Sequence, residues 1–531
     1  MRQASDTKKN TIRFYKVQDM IEIRCKKNKL TYNVYHITKA FFPEQEIRQT
    51  VDEKQEPLVV LELPGGSCFS LASAETESGL TEEEAAQTEK RAVTRKVYQF
   101  LSEAAGRVLA WGTLTGVRPA KLVMQMVEEG KSFEEIMDFL ENEYFVTRKK
   151  AELAYEIACR ERELLAKLEH GEVQTDMSRH NTKEQSISPV SDSRGKTGSP
   201  KWAAEKGFSL YVGIPFCPSV CSYCSFSSSP IDVWRDHVDS YLDALAKEIC
   251  ALGEAVQGKS PDTVYIGGGT PTTLEPEQLR RLMAAVTENF DLSKTVEFTV
   301  EAGRPDSITE EKLLVLKDFP VTRISINPQT MQQKTLDLVG RKHKAEDIEE
   351  AFSMARRLGF DNINMDLIAG LPGETAEDMR DTLSKIEAMQ PDSLTVHSLA
   401  IKRAAKFGQE GRSMDLHTEI SQMMDDAADS AGRMGLKPYY LYRQKNIAGN
   451  FENVGYAKLD KAGIYNILIM EEKQTILAAG AGASTKILLR EPVRTEKGRK
   501  TDLVHVENVK NITDYIGRID EMIERKHHIG V

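Results

Sequence analysis

Three of the seven cysteines in the chain, Cys217, Cys221 and Cys224, crowd into the segment SLYVGIPFCPSVCSYCSF at 209–226. Thiolates are soft anionic donors, and the spacing CxxxCxxC lets three of them wrap one metal centre while leaving it a ligand short. A structural zinc needs a fourth Cys or His; none lies close by in sequence, so a distant residue such as His237 would have to complete the site. A cubane of four irons and four sulfides makes use of the deficit, because three irons take thiolates and the fourth stays open to a small molecule. Plain structural cysteines fit this spacing poorly among the aromatic neighbours Phe216, Tyr223 and Phe226. A disulfide fits worse, since adjacent loop cysteines in a reducing compartment make poor staples.

The thiols need a loop, and the loop needs a strand to carry it. An apolar, β-branched run at 210–214 closed by Pro215 supplies that strand. After it, short strand-like runs at 263–266, 296–300, 323–326, 363–368 and 394–399 alternate with amphipathic helices at 236–252, 275–289, 309–317, 345–358, 375–388 and 415–434. Six βα units at this spacing predict an α/β fold, a parallel sheet curled into a full or partial TIM-like barrel, with function at the carboxyl ends of the strands. Residues able to hold a charged, nucleotide-like ligand recur at those ends. Gly267-Gly-Gly-Thr-Pro271 follows the second strand, where glycine lets backbone approach a ligand and present N–H groups. The third delivers Glu301, a carboxylate suited to the two hydroxyls of a ribose. Asn327-Pro-Gln329 and Arg341, whose planar fork matches a carboxylate, follow the fourth. Asp366 and the turn 369–373 end the fifth, and Lys402 and Arg403 lie past the sixth.

Composition sets the wider bounds. The 531 residues carry a net charge of −10, which leaves no domain-wide basic field for a general nucleic-acid binder. No apolar run approaches the ~18 residues of a membrane span, and Met1 to Asn10 is polar, unlike a secretory signal. Four scattered cysteines suit a cytoplasmic, reducing setting. Residues 1–170 read as an α+β accessory domain without a catalytic constellation. Its strand 57–63, the loop around Trp111 and Arg118, and the helices at 132–144 and 147–168 are its clearest parts. The Ser-, Thr-, Asn- and Gly-rich stretch 171–206 reads as a flexible linker. The barrel is expected over 207–435, and a C-terminal lid or side domain over 436–531.

Five segments, YVGIPFCPSVCSYCSF, GGGTP, RISINPQT, NINMDLIAGLPGET and GNFENVGY (449–456), resemble the radical S-adenosylmethionine (SAM) superfamily. Within it they resemble the oxygen-independent coproporphyrinogen III dehydrogenase (oxidase) family, HemZ-type branch, over roughly 208–490. The resemblance implies a 4Fe–4S cluster on Cys217, Cys221 and Cys224 whose unique iron is chelated by SAM. It implies contacts to that SAM from Tyr211, Gly268 and Glu301, and to a second SAM from Tyr223, Gly269, Thr270, Gln329, Arg341, Asp366 and Ala400. The implied reaction is oxidative decarboxylation of propionate side chains to vinyl groups, coproporphyrinogen III to protoporphyrinogen IX, in porphyrin biosynthesis. The electron comes from a flavodoxin- or ferredoxin-like donor. Arg304, Lys402, Arg403 and Arg443 are the candidate cations for the carboxylates of a tetrapyrrole.

Three departures stand out. Gly213-Ile-Pro replaces the usual His-Ile-Pro, Phe226 replaces a fourth cysteine, and the amino-terminal 200 residues are far longer. Two other functions fit the same superfamily, a haem-binding chaperone and a radical methyltransferase acting on a tetrapyrrole. The stretch 449–456 has no His to ligate haem, which counts against the chaperone.

Overall fold

In the computed structural model, which describes residues 20–43, 45–73, 81–116, 118–169, 206–226, 228–256, 258–399, 415–443, 451–494 and 500–527, the strand Met20–Cys25 (β1) sets the pattern of the amino-terminal unit. Its residues alternate, with Ile21, Ile23 and Cys25 buried and Met20, Glu22 and Arg24 on the other face, as a strand of period two with one covered face requires. The helix Asn28–Phe41 returns the chain to Glu46–Val51 (β2), parallel to β1. Val59–Glu62 (β3) and Cys68–Leu71 (β4) then run antiparallel on the far side, giving the order β2-β1-β3-β4. Leu30, Val34 and Ile37 of that helix, with Val97 and Leu101 of the helix Glu82–Ala105, close the core over Ile21, Ile23 and Leu61. This α/β unit takes the described residues of Met1–Val117, Lys131–Glu152 and Ala448–Phe451.

The second unit, Arg118–Gly130, Leu153–Ile447 and Glu452–Val531, is built on one eleven-stranded sheet. Phe208–Ile214 (β5) leads into the short pair Phe216–Cys217 (β6) and Ser229–Pro230 (β7). Thr263–Gly268 (β8), Glu297–Gly303 (β9), Arg323–Ile326 (β10), Ile363–Ala369 (β11) and Ser393–Ser398 (β12) follow, each parallel to the one before it in the order β5-β8-β9-β10-β11-β12. These are the six expected βα units, each end within three residues of its expected place, and their helices Val238–Ala255, Pro276–Asn289, Glu310–Lys317, Ala345–Arg357, Ala376–Met389 and Asp415–Arg433 fall where the periodicity puts them. Several start on a side-chain cap, such as Thr375 accepting from the Asp378 N–H with the Asp378 carboxylate returned to the Thr375 N–H.

The stretch from 436 onward, read above as a lid or side domain, adds strands to both ends of this sheet. Lys437–Tyr442 (β13) and Asn453–Ala457 (β14) pair antiparallel beside β12. Thr475–Ala479 (β15) lies parallel to β5, followed by Ser484–Arg494 (β16) and Lys500–Glu507 (β17). The sheet thus remains an open barrel. Residues 171–205 of the expected linker lie outside the described residues. Among the described residues no helix is long and apolar enough to cross a membrane.

Strict alternation organises the barrel strands. Leu210, Val212, Val264, Ile266, Phe298, Val300, Ile324, Met365, Leu367, Leu394 and Val396 occupy one face and are fully buried. Ser209, Tyr211, Thr263, Tyr265, Glu297, Thr299, Glu301, Arg323, Ser325, Asn364, Asp366, Thr395 and His397 occupy the other. Tyr265 feels the charge of Asp366 although their strands are three apart in the sheet, so the polar set lies on the concave side of a curled sheet. Most (β/α) barrels fill this space with branched apolar side chains, and here it is polar.

Candidate metal and cofactor site

The cysteine loop is fastened at both ends by main-chain bonds. Ser229 N–H donates to the Pro215 carbonyl at 2.8 Å, and the second-strand turn reaches across to it: Gly269 N–H donates to Ile214 O and Thr270 N–H to Phe216 O, each at 2.7 Å. A Cβ on Gly269 would lie 2.4 Å from Phe216 O, so only glycine permits this approach. These two amides therefore clamp the cysteine loop and are not free to face a ligand. Gly268, at φ +104, turns its N–H to Glu301.

Cys217, Cys221 and Cys224 are all free thiols in this loop. Burial pushes the Cys217 and Cys224 thiols up, against bonds from Thr270 and Ser228 to Cys217 and from the Phe226 N–H and Ser228 to Cys224. Thr270 Oγ1 lies 3.5 Å from the Cys217 sulfur and Ser228 Oγ 4.0 Å from that of Cys224. Among the described residues no group of three or more His, Cys, Asp or Glu side chains is gathered tightly enough to hold a single ion. The loop offers three soft sulfurs spread along it, a set that suits a multi-iron centre, which takes one thiolate per iron.

Behind the loop the concave face carries the other sequence-predicted residues. Tyr211 stacks near Tyr265, with ring centroids 6.2 Å apart, and Tyr265 stacks on Tyr465 at 4.5 Å. The Tyr265 hydroxyl donates to Glu301 at 2.5 Å. Burial nevertheless pushes the Glu301 carboxyl up to about 7. Asp366 is held below the usual range: burial alone would raise it, but His397 and the 2.7 Å bond from Asn364 outweigh that. His397 sits 3.9 Å from Asp366 and 3.3 Å from the Tyr442 hydroxyl.

At the carboxyl ends of β10 and β11, Gln329 bridges by its backbone to Leu367 and adopts φ +66, a left-handed conformation rare for a side chain with a Cβ. Its side-chain Oε1 is buried without a partner, as are Asn327 Oδ1, Arg341 Nε and both ring nitrogens of His343. Buried polar atoms left unpaired cost about 1–3 kcal/mol each, so such a cluster marks where a polar ligand belongs. Arg341 donates from Nη1 to the carbonyls of Asn327 and Pro328, and its charge acts on Cys221. Its fork is thus anchored in the protein on one side. Tyr223 packs on Val339, Ile368 and Leu371.

Not every expected residue takes the place the sequence suggests. Arg304 was expected among cations open to substrate carboxylates, but it is only 3% exposed and binds Asp306 through Nε and Nη2, at 2.9 and 2.6 Å, and Ser219 through Nη1. Arg443 is buried as well. Ala400, Lys402 and Arg403 lie outside the described residues. Sequence reasoning passed over Tyr265, Arg323, His397 and Tyr465. The first three alternate with apolar neighbours in their strands, a signal open to reading; Tyr465, on the helix Ile464–Glu471, carries none.

The fit is favourable: three thiols on a clamped loop, glycine-permitted backbone beside them, and unpartnered buried polar atoms facing the same end of the barrel suit an iron–sulfur cluster with a polar organic ligand. The family model for the radical SAM superfamily matches residues 211–386. The oxygen-independent coproporphyrinogen-III oxidase-like protein HemZ of Bacillus subtilis is 37% identical over 84% of this chain and 82% of its own. The heme chaperone HemW of the same organism is 38% identical over 38% of this chain and 52% of its own. Among solved structures, that of coproporphyrinogen III oxidase (HemN) from Escherichia coli aligns with a TM-score of 0.48 and 23% identity, over 60% of this chain and 70% of that one. With so long a match to HemZ around the cysteine loop, the chain belongs to the radical SAM superfamily and, within it, to the oxygen-independent coproporphyrinogen III oxidase-like family of the HemZ type.

Proposed function

We propose that the protein is an oxygen-independent coproporphyrinogen III dehydrogenase, a radical SAM oxidoreductase that converts two propionate side chains of a tetrapyrrole into vinyl groups. Membership of the superfamily implies a 4Fe–4S cluster and SAM, which together supply, when bound, a carbon radical able to take hydrogen from an unactivated C–H bond. In this reading Cys217, Cys221 and Cys224 hold the cluster. Tyr211, Gly268 and Glu301 hold one SAM; Tyr223, Gly269, Thr270, Gln329, Arg341, Asp366 and Ala400 hold a second.

The observation that carries the reading is the clamp of Gly269 and Thr270 on the loop of the three thiols, with unpartnered Gln329 Oε1 and Asn327 Oδ1 nearby in the fold. The chain's own share of the chemistry is positional. The clamp fixes the sulfurs, Gln329 and Asn327 offer acceptors to a donor on the ligand, and the walls of stacked tyrosines keep bulk water from the reacting bond. The Tyr265 hydroxyl and the Gly268 N–H hold the Glu301 carboxylate in place for ligand hydroxyls. Lys402 and Arg403 are the remaining candidates for the substrate carboxylates. The electron donor would be a flavodoxin- or ferredoxin-like protein, and neither nucleic acid nor membrane is a partner. A cytoplasmic setting and the 1–170 and 436–531 boundaries belong to the same reading.

A haem chaperone is the second reading, favoured by the 38% identity to HemW over 38% of this chain. Anaerobic incubation of the iron-loaded protein with SAM, dithionite and coproporphyrinogen III separates the two. Vinyl product with 5′-deoxyadenosine supports the dehydrogenase; haem bound without turnover supports the chaperone; a methylated tetrapyrrole overturns both.

A further inference from the structure

The three thiols do not share one environment. Cys217 meets the Thr270 hydroxyl and Cys224 the Ser228 hydroxyl, both neutral, whereas Cys221 accepts from one buried guanidinium group and feels the charge of a second. The second belongs to Arg341, which the proposed function already engages. The other is Arg304, which has no role there: its Nη1 lies 3.8 Å from the Cys221 sulfur, 3.0 Å from Ser219 O and 2.7 Å from Ser219 Oγ. Ser219 Oγ in turn lies 3.1 Å from Gly340 O. Arg304 Nε and Nη2 donate to Asp306 in two-point fashion, so the guanidinium cannot turn away from the loop. Arg304 reaches this place because β9 ends in Gly303, at φ +71, and the backbone then turns into Pro305.

We propose that Arg304 is a positioning residue for the metal centre that raises its reduction potential through Cys221, with Asp306 as the counter-charge that limits the effect. The inference rests on the reading that the three thiols carry a four-iron cluster. Adding one electron to such a cluster adds one negative charge, and a buried cation donating N–H to a ligand sulfur stabilises that charge. At 3% exposure the guanidinium is less screened by solvent than a surface charge, so its field acts more strongly on the sulfur. Asp306 partly cancels it. The pair gives the site an adjustable local charge that needs no change in the ligands themselves.

The test is potentiometric and uses no turnover. The full chain is loaded with iron and sulfide under nitrogen, and its cluster is reduced stepwise with dithionite while its electron paramagnetic resonance signal is followed. Arg304→Gln is expected to shift the midpoint to lower potential, Asp306→Asn to higher potential, and Arg304→Lys to lie between Arg304→Gln and wild type. A merely structural role would lower iron content in all three variants without shifts of opposite sign. Midpoints of Arg304→Gln and Asp306→Asn that coincide with wild type, or move in the same direction, overturn the proposal. If Arg304→Gln holds no cluster, Asp306→Asn decides alone: an upward shift supports the role and an unchanged midpoint removes it. Failure of the wild-type chain to take up a cluster sinks the proposed function instead, and this inference with it.

Discussion

Strand β1 of the amino-terminal unit and strand β9 of the barrel are written in the same alternating code, yet their polar faces meet opposite ends. In β1, Glu22 and Arg24 stay about a third exposed and pair with each other and with Glu62 at the surface. In β9, Glu297 and Thr299 are almost wholly buried, and Glu297 is engaged by the Thr299 hydroxyl at 2.6 Å and the Tyr465 N–H at 3.0 Å. A polar face left to water costs little. A polar face enclosed inside a barrel must be satisfied group by group, and a fold that keeps one marks the place where polar ligands are handled.

Substitutions can break that contrast. The largest effect is expected at Arg323, which is 2% exposed beside Glu297 and reaches Ser393. Arg323→Met removes the nearby positive charge that the buried Glu297 carboxylate feels, although the two form no direct ion pair, and is expected to lower stability by about 3–5 kcal/mol in denaturant unfolding, with part regained in Arg323→Met/Glu297→Gln. Full stability in the single variant would mean that the barrel interior behaves like a surface. Gly269→Ala comes next. Its Cβ would meet Phe216 O at 2.4 Å and lever the clamp from the cysteine loop, so iron retention after reconstitution is expected to fall about 10–100-fold with little change in helix content.

Glu301 supplies a smaller, pH-dependent effect. Its folded value of about 7 lies above the ordinary 4.5, so the native state binds this proton more tightly than the unfolded chain. The contribution is fully present below pH 4.5 and is lost as pH rises through 7, a slope worth on the order of 1–3 kcal/mol that Glu301→Gln should flatten. An identical slope in that variant would assign the pH dependence elsewhere. The smallest effect belongs to β1: Arg24→Ala removes half-exposed ion pairs and is expected to cost about 0–1 kcal/mol. A cost like that of Arg323→Met would erase the distinction between the two sheets.

Much of this was legible in the chain itself. The spacing of Cys217, Cys221 and Cys224 is the sequence signal on which the proposed metal centre rests, and the runs that became β5 and β8 to β12 stand out because local periodicity is a property of adjacent residues. The glycines of the second-strand turn were also visible, but not their use. The turn was expected to offer its amides to a ligand, and the Gly269 and Thr270 N–H groups instead hold the cysteine loop, whose carbonyls lie more than fifty residues earlier in sequence. Arg304 likewise looked like an open cation until Asp306 and Ser219 closed around it.

What the amino-acid order determined by itself was therefore local: the thiol spacing, the strand and helix periods, the cap at Thr375, and the alternation that sorts each barrel strand into two faces. Which face is enclosed, that β15 lies beside β5 although hundreds of residues separate them, and that two guanidinium groups converge on Cys221 were decided only in three dimensions. Burial, pairing and charge proximity depend on partners remote in sequence, and no window along the chain contains both halves of such a contact.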